Sequence, residues 1–160
     1  MKLHAFLLIS LLGLIGCENF DFTESHEGRV SKVVDGDTIK LFQQGKVLTI
    51  RLAEIDAPEY GQPYWKKSKQ ALEKHVAGKQ VTVEEFDRDQ YGRIVGHIYI
   101  KDFWVNGDLV KQGHAYVYER YAVSNKLYKF QSQAEKNRLG IWKLHANERV
   151  KPWVWRKNKK

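Results

Sequence analysis

Four pieces of this chain have the types and spacing for chemistry on a phosphate: Asp37, Arg51, the Asp56–Glu59 corner and Arg93. Carboxylates joined by a backbone carbonyl are hard oxygen donors, which suit Ca²⁺ or Mg²⁺ and not zinc. Two arginines can fork onto a phosphodiester and hold the extra charge of its transition state. Glu59 is a further carboxylate, able to orient or deprotonate an attacking water. Each piece alone has a plainer reading. An Asp-Gly-Asp turn is most often only a turn, and a lone strand arginine is most often a surface residue.

The elements that must position these groups are legible from periodicity. Lys46 to Ile55 alternates, with Leu48, Ile50 and Leu52 on one face and Val47, Thr49 and Arg51 on the other. Strict alternation would set Arg51 and Asp56 on opposite faces, so the strand must end or bend before Asp56. Pro58 donates no N–H and pushes Ala57 out of the helical region, which keeps the Ala57 carbonyl out of a helix ladder. Upstream, Gly28 to Asp35 reads as a strand, Asp35-Gly36-Asp37 as a turn and Thr38 to Gln43 as a second strand. Gln44-Gly45 turns into the third, which completes a β-meander.

Beyond the corner the period changes. Gln62 to Ala77 reads as a helix, with Trp65, Leu72 and Val76 on one face and Gly78 as its stop. Strands follow at Gln80 to Phe86 and Arg93 to Lys101. Val105 to Gln112 is a short helix, Ala115 to Tyr118 an extended segment, and Asn125 to Leu139 a helix that Ser124 can cap. Leu127, Phe130 and Ala134 face inward, and Ile141 and Trp142 pack back on the body. The expected fold is α+β, mainly β: an OB-type five-stranded Greek-key barrel with about three helices.

A chain of 160 residues, 42% hydrophobic, is long enough for one domain that buries roughly two thirds of its unfolded surface. The formal charge of +8 favours polyanionic partners, nucleic acid or an anionic membrane surface. Lys2 followed by the apolar run Ala5 to Ile15 reads as an export signal. Leu14-Ile15-Gly16-Cys17 is similar to a bacterial lipobox, in which the cysteine becomes the lipidated first residue. Cys17 is the only cysteine, so it makes no internal disulfide. Residues 1–16 are thus expected to be a signal and 17–27 a tether. Residues 28–145 form the domain and 146–160 a basic, tryptophan-containing tail. The tail could stack bases and neutralise phosphates, but the favoured reading is a solvated end with one tryptophan docked. The chemistry is placed outside the cytoplasm, at the cell envelope.

Three stretches then carry a resemblance. Val34-Asp35-Gly36-Asp37-Thr38, Arg51 to Glu59 and Asp89-Gln90-Tyr91-Gly92-Arg93 stand in the order and approximate spacing of the staphylococcal nuclease family. Val105 to Val110 and Leu139-Gly140-Ile141-Trp142 also resemble it, so the likeness spans about Gly28 to Trp142. It implies an OB-fold, Ca²⁺-dependent phosphodiesterase on DNA and RNA that leaves 3′-phosphate ends. Asp37, Asp56 and the Ala57 carbonyl would hold one Ca²⁺, with Asp35 and Thr38 supporting them. Glu59 would be the general base or water-orienting group. Arg51 and Arg93 would clamp the scissile phosphate, with Arg93 also assisting the leaving 5′-oxygen. Tyrosines that contact the nucleotide correspond to Tyr118 or Tyr121. A monomer is expected.

The chain departs from the family in three places. Ala57 replaces a threonine, and the loop after Pro58-Glu59 is shortened to Tyr60-Gly61-Gln62-Pro63. Glu54 falls in phase with an apolar strand face; it either sits after the bend or adds charge near the metal. His26, His75, His97, His114 and His145 show no metal-ligand spacing and read as surface or packing residues. Two rival functions are a nucleic-acid or protein binding module that has lost catalysis, and a structural envelope lipoprotein. The set Asp37, Arg51, Asp56, Glu59 and Arg93 favours the enzyme, because a degenerate copy would lack several of the five.

Overall fold

The computed structural model describes residues 24–159, so the signal, Cys17 and most of the tether lie outside the described residues. The chain runs β1 (Ser25–Val33), β2 (Thr38–Gln43), β3 (Lys46–Leu52), β4 (Ile55–Asp56), α1 (Trp65–Val76), β5 (Gln80–Arg88) and β6 (Ile94–Ile100). It continues through β7 (Phe103–Trp104), α2 (Val105–Lys111), β8 (Tyr116–Val117) and α3 (Asn125–Lys136). Two 3₁₀ turns, Gly140–Lys143 and Ala146–Glu148, lead into α4 (Pro152–Asn158). Among the described residues no helix is long and apolar enough to cross a membrane.

Five strands close a barrel in the order β3-β2-β1-β5-β6, with β3 and β6 paired in parallel across the seam. This is the expected OB-type barrel. Closure leaves these five strands without a free edge, and the inward residues alternate as the pleat requires. Val30, Ile39, Leu41, Ile50, Leu52, Val83 and Ile98 fill the interior and are all but inaccessible. Leu72 and Val76 of α1, Leu109 and Val110 of α2, and Leu127 of α3 pack into the same core. Truncating such a residue to alanine costs about 2–5 kcal/mol.

Three expectations need correction. β1 begins at Ser25, and Ser25 to Glu27 pair with Glu84 to Thr82 of β5, so these residues belong to the barrel and not to a tether. A fourth helix, α4, stands where a solvated tail was expected; Pro152 sits at its first turn, where a missing N–H costs nothing. Ser124 precedes α3, yet its side chain makes no capping bond.

Candidate active site

The β2–β3 hairpin and the β3–β4 bend build the site. In the turn before β2, the Asp35 carboxylate accepts the Asp37 N–H at 3.1 Å, and the Thr38 hydroxyl donates to Asp37 Oδ1 at 3.2 Å. Both expected supporting residues therefore touch Asp37. Gly36 is needed for close approach: a Cβ there would lie 2.2 Å from Ser68 Oγ on α1 and 2.7 Å from the Ala57 Cβ. The turn, the helix and the Asp56–Glu59 corner meet at that point.

β3 stops at Leu52, and Ala53-Glu54 bends the chain, with Glu54 in the left-handed region at φ 65°. Asp56 then emerges on β4 and is pinned by pairing with Tyr116 of β8. The bend brings Asp56 beside Arg51. One guanidinium spans both carboxylates: Arg51 Nη1 lies 3.0 Å from Asp37 Oδ2, and Nη2 lies 2.8 Å from Asp56 Oδ1. Asp37 Oδ2 also accepts the Ala57 N–H at 2.6 Å. Burial pushes the Asp37 carboxyl well above the usual carboxylate range, against the pull of Arg51. Asp56 is completely buried.

Glu54 is engaged away from Asp37 and Asp56, at the entry to α3. Its carboxylate accepts the N–H groups of Val123 (2.5 Å) and Ser124 (2.7 Å) and lies 3.2 Å from His97 Nε2. These bonds fix the entry to α3 and compensate the left-handed backbone, which costs a non-glycine residue about 1–2 kcal/mol. The indole N–H of Trp104 donates to His97 Nδ1 at 3.2 Å, which leaves Nε2–H to face Glu54.

Arg93 is the expected site residue whose side chain the structure does not bring to the others. Its backbone is near, because Val95 two residues on lies beside Arg51 in the parallel seam. Its side chain instead holds Asp89 across its own turn, Nε to Oδ2 at 2.6 Å, with the guanidinium 5.7 Å from the Tyr91 ring. A different arginine completes the cluster. Arg156 of α4 donates through Nη2 to Asp56 Oδ2 at 2.8 Å and through Nη1 to Asp56 Oδ1 at 3.1 Å. The same Nη1 bonds Glu59 Oε1. Burial works against this guanidinium's charge, but the bonds to Asp56 and then Glu59 outweigh it and raise the Arg156 pKa.

Sequence reading also missed Gln62. This buried side chain accepts the Glu59 N–H at 3.0 Å and donates to the Val150 carbonyl, which ties the Glu59 loop to the C-terminal segment. Beside the carboxylates stand the aromatic rings of Tyr118, Tyr121 and Trp153. Trp153 stacks on Tyr118 at 5.2 Å, Tyr121 meets Tyr118 edge-on at 4.9 Å, and the Arg156 guanidinium lies 6.0 Å from the Tyr118 ring. The helix-start signal of Pro152, followed by six residues free of glycine and proline, could have revealed α4. Nothing local could have revealed what Arg156 touches.

The staphylococcal nuclease homologue family matches residues 49–144. This chain belongs to the staphylococcal nuclease family. It is 44% identical over 133 residues to an uncharacterized endonuclease of Escherichia coli, covering 82% of this chain and 86% of that protein. It is 32% identical over 145 residues to a micrococcal nuclease of Shigella flexneri, covering 83% of this chain and 82% of that one. A probable staphylococcal-like nuclease of rice, CAN1, matches 72% of this chain at 43% identity, within 34% of its own length. As a staphylococcal nuclease family member the chain is a nuclease, a hydrolase whose substrate is nucleic acid.

The donor set around Arg51 fits a hard divalent cation: two buried carboxylates, Asp37 and Asp56, and the Ala57 carbonyl, which lies in no helix or strand. A separate group, Glu24, His26 and Glu85, brings metal-type atoms within 4.8 Å of one another. There Arg88 holds Glu85 at 2.7 Å and approaches Glu24 at 3.7 Å, so the group reads as an ionic clasp between β1 and β5.

Proposed function

We propose that this nuclease hydrolyses phosphodiester bonds of DNA or RNA with one Ca²⁺ held by Asp37, Asp56 and the Ala57 carbonyl, and leaves 3′-phosphate ends. One observation carries the reading: a single guanidinium, Arg51, joins both buried carboxylates, so anion-binding and cation-binding groups share one spot. Bound Ca²⁺ would supply Lewis-acid polarisation of the phosphoryl oxygens. Arg51 orients the phosphodiester and stabilises the charge that grows on it. Glu59, half-exposed at the mouth, orients a water and takes its proton. Arg93 reaches the phosphate by exchanging Asp89 for it, and stabilises the departing 5′-oxygen. All these groups come from one chain, which suits a monomer.

The test is cleavage of single-stranded and duplex DNA and of RNA with Ca²⁺, with Mg²⁺ and with a chelator, followed by analysis of the new ends. Ca²⁺-dependent cleavage that the chelator stops, leaving 3′-phosphates, supports the reading. Binding without cleavage under every ion would replace it with the binding-module alternative. We further propose that lipidated Cys17 tethers the nuclease to the cell envelope, on the strength of Leu14-Ile15-Gly16-Cys17. Mass spectrometry of envelope-derived protein showing an unmodified Cys17 would remove the tether.

A further inference from the structure

We propose that α4 is an intramolecular competitor of the divalent cation, with Arg156 holding the carboxylate oxygens that the cation requires. The proposal rests on the assignment of Asp56 above and extends it to the control of that site. Asp56 has two oxygens and both are engaged: Oδ1 by Arg51 and Arg156, Oδ2 by Arg156. A divalent ion needs such an oxygen at about 2.3–2.6 Å. At that distance it would lie beside the N–H edge of the Arg156 guanidinium, setting two like charges against each other at a carboxylate that is itself completely buried. Arg156 and the cation therefore exclude each other at Asp56. The Arg156 bond to Glu59 adds a second effect, because it occupies the carboxylate assigned to the water.

α4 is built to leave. It has seven residues, too short to be a stable helix by itself, so its place depends on its contacts. Lys151 pairs with Glu119 at 2.6 Å and Lys159 donates to the Tyr60 carbonyl at 3.0 Å, both on the exposed surface where such bonds are weak. The stronger contacts are the buried Pro152, the Trp153 ring against Tyr118 and Tyr116, and Arg156 itself. Gln62, through its bond to the Val150 carbonyl, anchors the chain just before α4. Release of Arg156 would therefore swing a tethered helix, uncovering the carboxylates and the face of Tyr118 in one movement. Cation and helix compete for one site, and the aromatic surface beside it opens with the cation bound.

Calcium titration by calorimetry at fixed ionic strength tests this on the parent, Arg156→Ala, Arg156→Lys and Asp37→Asn. Arg156→Ala should bind Ca²⁺ about tenfold more tightly, the scale of losing one charge-assisted pair. Arg156→Lys, which keeps the charge and loses the fork, should fall between it and the parent. Asp37→Asn leaves Arg156's partners intact and should not bind. In the parent, Ca²⁺ should also shift the Trp153 indole N–H resonance, and in Asp37→Asn it should not. Equal or weaker Ca²⁺ affinity in Arg156→Ala overturns the proposal while leaving the cation site standing. If neither the parent nor Arg156→Ala binds Ca²⁺, the cation assignment falls and the competition with it.

Discussion

Arg156 and Asp56 stand 100 positions apart in the chain, yet their side chains form a two-pronged ion pair, with Nη2 to Oδ2 at 2.8 Å and Nη1 to Oδ1 at 3.1 Å. A buried carboxylate at the centre of the site is thereby held from two sides, by Arg51 from the barrel and by Arg156 from the terminal helix. Arg51, Asp56, Glu59 and the terminal helix are one electrostatic unit. Changes at either should be read together.

Glu59→Gln should lower kcat by about 10²–10⁴-fold, the usual worth of a positioned general base, with little change in nucleic-acid binding. The amide keeps the shape and removes the basicity. Rates measured at saturating substrate decide it: turnover near the parental value takes Glu59 out of its assigned role.

Arg51 and Arg93 should separate when stability and rate are measured side by side. Arg51→Ala leaves Asp37 and Asp56 without the guanidinium between them and should cost about 3 kcal/mol in urea unfolding as well as activity. Arg93 is paired on a half-exposed hairpin, so Arg93→Ala should cost less than about 1 kcal/mol of stability. If Arg93 reaches the transition state, its loss should still raise the barrier by about 3 kcal/mol. A rate close to parental would confine Arg93 to its bond with Asp89.

Glu54→Ala should destabilise the fold by about 2–4 kcal/mol, because the N–H groups of Val123 and Ser124 lose a charged acceptor. Calcium affinity should stay as it is. A marked fall in affinity with unchanged stability would return Glu54 to the metal site.

His97 gives the fold a pH dependence of known sign. Burial lowers its pKa below the ordinary 6.5, with Glu54 and Glu84 opposing. The folded state therefore binds the proton less readily than the unfolded chain. Stability from neutral His97 is complete above about 6.5 and is lost as the pH falls through its lowered value. An NMR titration should place the His97 midpoint under 6.5, and His97→Gln should flatten stability across that window. A midpoint at or above 6.5 would mean that Glu54 outweighs burial.

Much of the fold was legible because its signals are local. Period-two alternation marked β3 and its inward face, the Asp-Gly-Asp turn marked the hairpin entry, and the helical period marked α1 and α3. The bend before Asp56 followed from counting faces. The limits of β1 were less legible, since Ser25-His26-Glu27 has no apolar period of its own and becomes strand only by pairing with β5.

Within the site, residue types and order brought Asp37, Arg51, the Asp56–Glu59 corner and Arg93 forward as candidates, because the donors a cation and a phosphate need are chemically restricted, and the family resemblance implied a role for each. Partners were another matter. Glu54 looked like a misplaced charge until the left-handed bend turned it toward Val123 and Ser124, and the Arg93 side chain is held by Asp89 and not by the other site groups. Arg156 looked like one positive charge among many in a basic tail. Sequence determines which groups are present and which strand or turn carries each, because those depend on neighbours along the chain. Which carboxylate a guanidinium holds depends on how the bend and the terminal helix pack in three dimensions, and the tertiary structure alone decided it.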